Sequence, residues 1–352
     1  MRKVSLSPRL PKVSRLAIGS LTVSGMQRDL PPEEAAAVLA YAFDRGVNFV
    51  DTAQYYENYG LIRRALELCR DPDSVVLSTK TYAWSKKLAE EAVEEARQKT
   101  GRDVIDLFLL HEQESYDTLR GHREALEYLL DCRERGVVRA LGASTHHVAL
   151  VRGLLRLADE GTAVDVCHPL YNKAGIGIAD GTEADMAQAL TELHARGVGV
   201  FAMKALGGGH LAESAEDALR FVLEKDFIDA VAVGMQSEAE IDANIRFFEE
   251  GAFSDDDRER LSHANRTLHV EEYCEGCGAC VRRCAAGALR LVEAADSEEE
   301  RREGDLADEF LRELDSGSLH RPPRLRAEPD DRKCVRCGYC TKVCPVFALK
   351  IY

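Results

Sequence analysis

From Arg15 to Glu250, eight short apolar runs alternate with longer amphipathic stretches, the pattern of repeated strand–helix units around a parallel sheet. The runs are Arg15–Gly19, Asn48–Asp51, Val75–Lys80, Ile105–His111, Ala140–Ser144, Val164–His168, Val198–Met203 and Asp229–Gly234. Helical periodicity falls between them, as in Pro32–Arg45 after a proline-marked acidic start, and in Glu238–Glu249 behind Ser237, which is placed to cap it. Eight strands with intervening helices in about 240 residues fit a closed barrel better than an open doubly wound sheet. The first strand–helix turn also lacks the G-x-G-x-x-G of a dinucleotide fold. The expected fold is therefore α/β, a (β/α)₈ TIM barrel.

The remaining length is too long for a tail. With 352 residues the chain has room for a barrel over 1–262 and a smaller unit over 263–352. A charged, helix-like stretch, Asp255–Arg266, leads into the second unit. No apolar run approaches the ~20 residues that span a bilayer, and the basic N-terminus has no apolar core of a secretory signal, so a cytoplasmic protein is expected. A net charge of −15 argues against nucleic acid and anionic lipid as partners, since both are polyanions.

Eight of the 11 cysteines fall in two runs of identical spacing, Cys274-x2-Cys277-x2-Cys280-x3-Cys284 and Cys334-x2-Cys337-x2-Cys340-x3-Cys344. This is the bacterial ferredoxin arrangement, in which the fourth cysteine of each run ligates the other run's cluster. Cys274, Cys277, Cys280 and Cys344 then hold one [4Fe–4S] cluster, and Cys334, Cys337, Cys340 and Cys284 the second. Gly278, Ala279 and Gly338 leave room for backbone N–H groups near the sulfides. Structural zinc is the alternative, because paired C-x2-C units also bind it, but three successive gaps repeated twice are far more specific to clusters. Ala285 follows Cys284 where Pro345 follows Cys344. Cys69, Cys132 and Cys167 stand outside the runs and read as small apolar core residues. An acidic insertion at about 294–331 separates the runs, either a solvated excursion or a docking surface for a redox protein partner. The second unit is expected to be a ferredoxin-like α+β iron–sulfur domain.

In a barrel of this kind chemistry sits at the C-terminal ends of the strands. Here the runs end in Asp51, Lys80, His111, Ser144, His168 and Lys204; one such residue alone would more often be a structural ion pair or cap. The stretch Asn48-Phe-Val-Asp51-Thr-Ala-Gln-Tyr-Tyr56, followed by Ser78-Thr-Lys80 and Asp106-Leu-Phe-Leu-Leu-His111, resembles the aldo-keto reductase family over residues of about 10–250. The resemblance implies a catalytic tetrad of Asp51, Tyr56, Lys80 and His111, with Tyr55 and Tyr59 as packing neighbours. It also implies a nicotinamide as hydride source and a small carbonyl or alcohol as substrate. The chemistry is coherent. A tyrosine, with pKa near ~10, is a weak acid at neutral pH, and a Lys80 ammonium held by Asp51 would lower that value while His111 orients the carbonyl.

The same resemblance places nicotinamide contacts at Ser144 and Thr145, at His168 where the family carries glutamine, and at Met203 where it carries a stacking tyrosine. Lys204, Leu206 and Gly207 suit a pyrophosphate, by a lysine and close backbone approach. Gly234, Gln236, Glu240 and Asn244 correspond to the adenosine turn. Glu240 falls where a 2′-phosphate would be read by arginine, which favours NADH over NADPH. Hydride carries two electrons and each cluster exchanges one, so the alternative reading is an electron-transfer protein with a flavin or other ligand in the barrel, wired through the clusters to a ferredoxin or flavoprotein. A non-catalytic module is the third reading, and the intact tetrad argues against it. Lys173–Glu183 and Tyr82–Trp84 are candidate walls of the substrate pocket.

Overall fold

The computed structural model describes residues 1–162, 164–262, 267–294, 324–336, 338–346 and 348–351; Cys337 and the stretch 295–323 of the acidic insertion lie outside them. Contacts divide the chain into two compact units, Met1–Asn265 and Arg266–Tyr352.

The first unit opens with an antiparallel pair, β1 (Lys3–Val4) and β2 (Val13–Ser14). Eight strands follow: β3 (Leu16–Gly19), β4 (Phe49–Asp51), β5 (Val76–Thr81), β6 (Ile105–Leu110), β7 (Val138–Thr145), β8 (Val166–Pro169), β9 (Gly199–Met203) and β10 (Ala230–Gly234). They close a barrel in the order β10-β3-β4-β5-β6-β7-β8-β9, and every neighbouring pair is parallel. Each strand lies on one of the eight apolar runs, its ends within two residues of those read from the sequence. The reason is burial on both faces. Every residue of β5 and β6 is buried, so neither strand alternates between an apolar and a polar face, and the polar residues of β5 are enclosed at its C-terminal end.

Two apolar layers hold the barrel. Inside, Phe49, Val76, Leu107, Val166, Phe201 and Ala230 meet Leu6, Leu10 and Val13 from the N-terminal segment. Those barrel residues sit early in their strands, so the N-terminal segment plugs the end away from the strand C-termini. Gly199 permits it, since a Cβ there would lie 1.8 Å from the Leu6 carbonyl oxygen. Outside, helices such as Pro32–Asp44, Lys86–Thr100 and Glu238–Glu250 pack their apolar faces on the strands. Ser237 caps the last of these by accepting from the Glu240 N–H, and Gly251 ends it in the left-handed conformation.

In the second unit β11 (Leu268–Val270) pairs antiparallel with β14 (Leu349–Ile351), and β12 (Leu289–Glu293) with β13 (Leu325–Pro329). Short helices Ala279–Arg283 and Tyr339–Lys342 begin at Gly278 and Gly338, both in the left-handed conformation. The charged helix before this unit runs Asp255–Ser262. Among the described residues no helix is long and apolar enough to cross a membrane.

Gly142 marks a tight strand contact: a Cβ there would lie 1.8 Å from the Val166 carbonyl oxygen. Gly142→Ala should force β7 and β8 apart and cost about 3 kcal/mol of stability. Thermal or denaturant unfolding of the variant would read this loss, and an unchanged midpoint would contradict it.

Candidate functional site

Asp51 is the last residue of β4, Lys80 lies near the end of β5, and His111 follows β6 directly. The parallel register sets Asp51 opposite Ser78, and Lys80, two residues on, shares the face of Ser78. Lys80 Nζ donates to Asp51 Oδ2 at 2.8 Å and to the Thr52 carbonyl at 2.6 Å, while Ser78 Oγ donates to Asp51 Oδ1 at 3.3 Å. Both charged side chains are nearly sealed from solvent, at 1% and 8% exposure. Burial would raise the Asp51 pKa, but the Lys80 ammonium and the His168 ring outweigh it and hold the carboxyl well below the usual range.

Tyr56 ends the helical turn Gln54–Tyr56 that follows β4. Its ring centroid is 5.1 Å from Lys80 Nζ and 5.8 Å, edge on, from the His111 ring. The structure departs from expectation in its acidity. Burial first, then the negative charges of Asp51 and Glu112, push the phenol well above its ordinary value. Tyr59, by contrast, is buried with its hydroxyl 2.7 Å from Thr79 Oγ1.

Tyr82, expected as a wall of the pocket, is joined at the barrel mouth by two groups that no motif announced, Glu112 and His146. Tyr82 stacks on His111 at 4.3 Å and donates its hydroxyl to Glu112 Oε2 at 2.6 Å. The other Glu112 oxygen lies 3.7 Å from His146 Nε2, which is in turn 3.3 Å from Lys204 Nζ. These contacts join β5, β6, β7 and β9, and only the fold brings residues so distant in sequence together. Tyr82 and Tyr55 also line an open cleft of about 670 Å³, and Trp84, two residues on, is exposed.

The positions expected to hold a nucleotide divide into two groups. Ser144 and Thr145 are fully buried and already engaged: Ser144 Oγ accepts from the Glu112 N–H at 2.8 Å, and Thr145 Oγ1 donates to the Gln113 carbonyl at 2.7 Å. Their hydroxyls brace the loop after β6. His168, at 1% exposure, is likewise turned inward. Its Nδ1 is 2.6 Å from the Phe201 carbonyl, its ring stacks on Phe201, and its Nε2 is 3.5 Å from Asp51 Oδ2.

The other group remains suited to a nucleotide. Met203 ends β9, and from Lys204 the chain runs through Leu206 into Gly207, Gly208 and Gly209; Lys204 and all three glycines have positive φ. Such a loop can bring backbone N–H groups close to an anion. At the turn after β10, Gly234 passes Thr22 so closely that a Cβ would lie 2.2 Å from its methyl carbon. The Gln236 N–H donates to Glu240 Oε2 at 2.8 Å, so that carboxylate folds back on its own turn. Asn244 Nδ2 donates to the Glu240 carbonyl at 2.8 Å. Gln236 Oε1 and Asn244 Oδ1 are buried with no hydrogen-bond partner among the described residues. Buried acceptors without partners are costly, and a ligand donor would relieve them.

In the second unit the thiols line two cavities. One is bounded by Cys274, Cys277, Cys280 and Cys344, the other by Cys284, Cys334 and Cys340, with Cys337 outside the described residues. The fourth cysteine of each run thus faces the other run's cavity. Backbone N–H groups of Ala288 and Ala348 point at Cys284 Sγ and Cys344 Sγ, at 3.2 and 3.1 Å, as donors that stabilise thiolate. Gly276 closes the first cavity with positive φ, and a Cβ there would lie 2.2 Å from the Leu325 carbonyl. Cys167 in the barrel is fully buried, which pushes its thiol up to about 12 and leaves it inert.

The sequence profile of the aldo/keto reductase family matches residues 15–217, and that of a 4Fe–4S dicluster domain matches residues 273–348. Aldo-keto reductases of Mycobacterium avium and Mycolicibacterium paratuberculosis are 28% and 29% identical over 176 and 150 residues, covering 48% and 41% of this chain. The chain spans only 61% and 52% of the length of those two relatives. An aldo-keto reductase of Bacillus halodurans, solved in its holo form, superposes with a TM-score of 0.59 at 20% identity, covering 74% of this chain and 95% of that one. The last likeness concerns the fold alone.

The crossed arrangement of the cavities generates a test. Cys344→Ala should remove the cluster bounded by Cys274, Cys277 and Cys280, lowering iron from about eight to about four per chain, while Cys167→Ala leaves it unchanged. Iron and sulfide analysis of anaerobic preparations reads both, and full retention of iron in Cys344→Ala would contradict the assignment.

Proposed function

The chain belongs to the aldo/keto reductase family, and from that premise we propose that it reduces a small carbonyl compound, or oxidises the corresponding alcohol, with Tyr56 as the proton-transferring group. The supporting observation is the buried Asp51–Lys80 pair beneath Tyr56, with the His111 ring beside the phenol. A reduced nicotinamide, when bound, supplies the hydride. The residues do the rest. Tyr56, protonated because its surroundings oppose the phenolate, gives its proton to the carbonyl oxygen. His111 orients that oxygen, and the stack of Tyr82 on His111 fixes the imidazole plane. Lys80, held by Asp51, places a positive charge near the phenolate as it forms.

The residues that would hold the nucleotide are Gln236 and Asn244, through their two unpartnered acceptors for an adenine amino group, and Lys204 with Leu206 and Gly207 for the pyrophosphate. Gly234 lets the chain pass close at the turn, and Met203 would border the nicotinamide. The cysteines would hold two [4Fe–4S] clusters, which supply one-electron exchange. A redox protein is the partner this implies, and the cytoplasm, where thiols stay reduced, is the compartment.

NADH is the favoured nucleotide. The Glu240 carboxylate at the start of the last barrel helix adds negative charge where a 2′-phosphate would need a cation. Dissociation constants for the two nucleotides should differ in favour of NADH, and tighter binding of NADPH would overturn the preference.

Carbonyl-dependent oxidation of reduced nicotinamide by the anaerobically purified full chain tests the main reading. Tyr56→Phe should lower kcat by about 10²–10⁴-fold with nucleotide affinity and iron content unchanged. A variant as active as the parent chain would remove Tyr56 from the chemistry.

A further inference from the structure

The two cysteine runs are alike in spacing but differ in the residue that precedes their second cysteine. Gly276 and Arg336 occupy the same place, two residues after the first cysteine of each run, and both have positive φ, 63° and 55°. Glycine adopts that conformation at no steric cost, whereas arginine is strained there. A strained residue held against a site is a pointer to function. Among the described residues each cavity also has one charged lining side chain, and the two are opposite in sign. Glu275 borders the cavity of Cys274, Cys277, Cys280 and Cys344, and Arg336 borders that of Cys284, Cys334 and Cys340. We propose that Arg336 and Glu275 set the two [4Fe–4S] clusters apart in reduction potential, so that the cluster beside Arg336 is the more easily reduced.

Reduction adds one negative charge to a cluster, so a nearby cation favours it and a nearby anion opposes it. Neither Arg336 nor Glu275 takes part in an ion pair among the described residues, so neither charge is neutralised locally. Burial pushes the Cys334 thiol up, and the Arg336 backbone N–H and guanidinium pull against it more strongly than Asp331 adds to it, which places the arginine's field on that sulfur. The next cations out are matched. Arg282 Nη1 donates to the Cys277 carbonyl at 3.2 Å, and the Arg283 guanidinium lies 5.2 Å from the ring of Tyr339, which lines the second cavity. Backbone N–H groups reach sulfurs of both sets, including those of Ala327 and Ala348 on one side and Ala288 and Arg336 on the other. With flanking arginines and N–H donors present on both sides, the opposed pair of Glu275 and Arg336 decides the order. An electron shared within this unit then rests beside Arg336. The inference rests on the cluster reading of the cysteines and not on the carbonyl-reductase reading of the barrel.

Redox titration of the anaerobically purified full chain, followed by paramagnetic resonance spectra at poised potentials, reads the two midpoints. Two separate steps are expected. In Cys344→Ala, which keeps only the cluster beside Arg336, the remaining step should be the upper one, and a remaining step at the lower potential would overturn the proposal. Arg336→Gly suits the left-handed backbone and should make that cluster about tenfold harder to reduce, a fall of ~59 mV for one electron. Arg336→Lys, which keeps the charge, should hold the upper step in place. An unmoved upper step in Arg336→Gly would contradict the role of the arginine. Should that variant fail to hold iron, Glu275→Gln takes its place: removing the anion should raise the lower step, and an unmoved lower step would count equally against the proposal. Iron content separates the two readings. A chain without iron would overturn the cluster reading and this inference with it, whereas two clusters at one shared potential would overturn this inference alone.

Discussion

The ion pair between Lys80 and Asp51 is the constraint on which the barrel's active end depends. Taking two charges out of water costs several kcal/mol for each, and losing one partner of such a pair costs about 3–5 kcal/mol because the other stays buried and unpaired. The site is built around meeting that cost. The Thr52 carbonyl and Ser78 hydroxyl supply further bonds, and His168 adds a contact from the opposite side of the barrel. The pair forms only if β4 and β5 keep their register, since a shift of one residue would turn Lys80 to the outer face. Fold and chemistry therefore share one determinant.

The strands were legible because parallel barrel strands are buried on both faces, which makes runs such as Ile105–Leu110 apolar at every position but Asp106. Asp51, Lys80 and His111 stand out because each lies at or beside the end of such a run, whereas Tyr56 follows five residues after Asp51 in the turn Gln54–Tyr56. Less was readable where the determinant is a contact between distant segments. The β1–β2 pair is only two residues long on each side and carries no periodicity, yet its neighbours Leu6 and Leu10 plug the barrel. The bonds by which Ser144 and Thr145 brace the loop after β6 likewise have no local signature. His168 and Asp51 are far apart in the chain, and Tyr56's acidity depends on Glu112 and Tyr82, which no local motif announces.

The second unit follows a different rule. Among the described residues, four of the ten core residues of this unit, Cys274, Cys280, Cys340 and Cys344, are thiols that line the cavities, so what stabilises this small unit and what binds iron are largely the same groups. Metal-binding free energy becomes folding free energy in such a unit. Its cysteine gaps were fully readable because cluster ligation needs only local loops and one crossing residue from each run.

In the proposed reaction two electrons move together, as hydride, within the barrel. Turnover with a nicotinamide carrying deuterium at its reactive carbon tests that most directly. The label is expected on the former carbonyl carbon of the product. A product bearing only solvent hydrogen there, formed while the clusters bleach, would contradict it and make the clusters the route by which electrons reach the substrate.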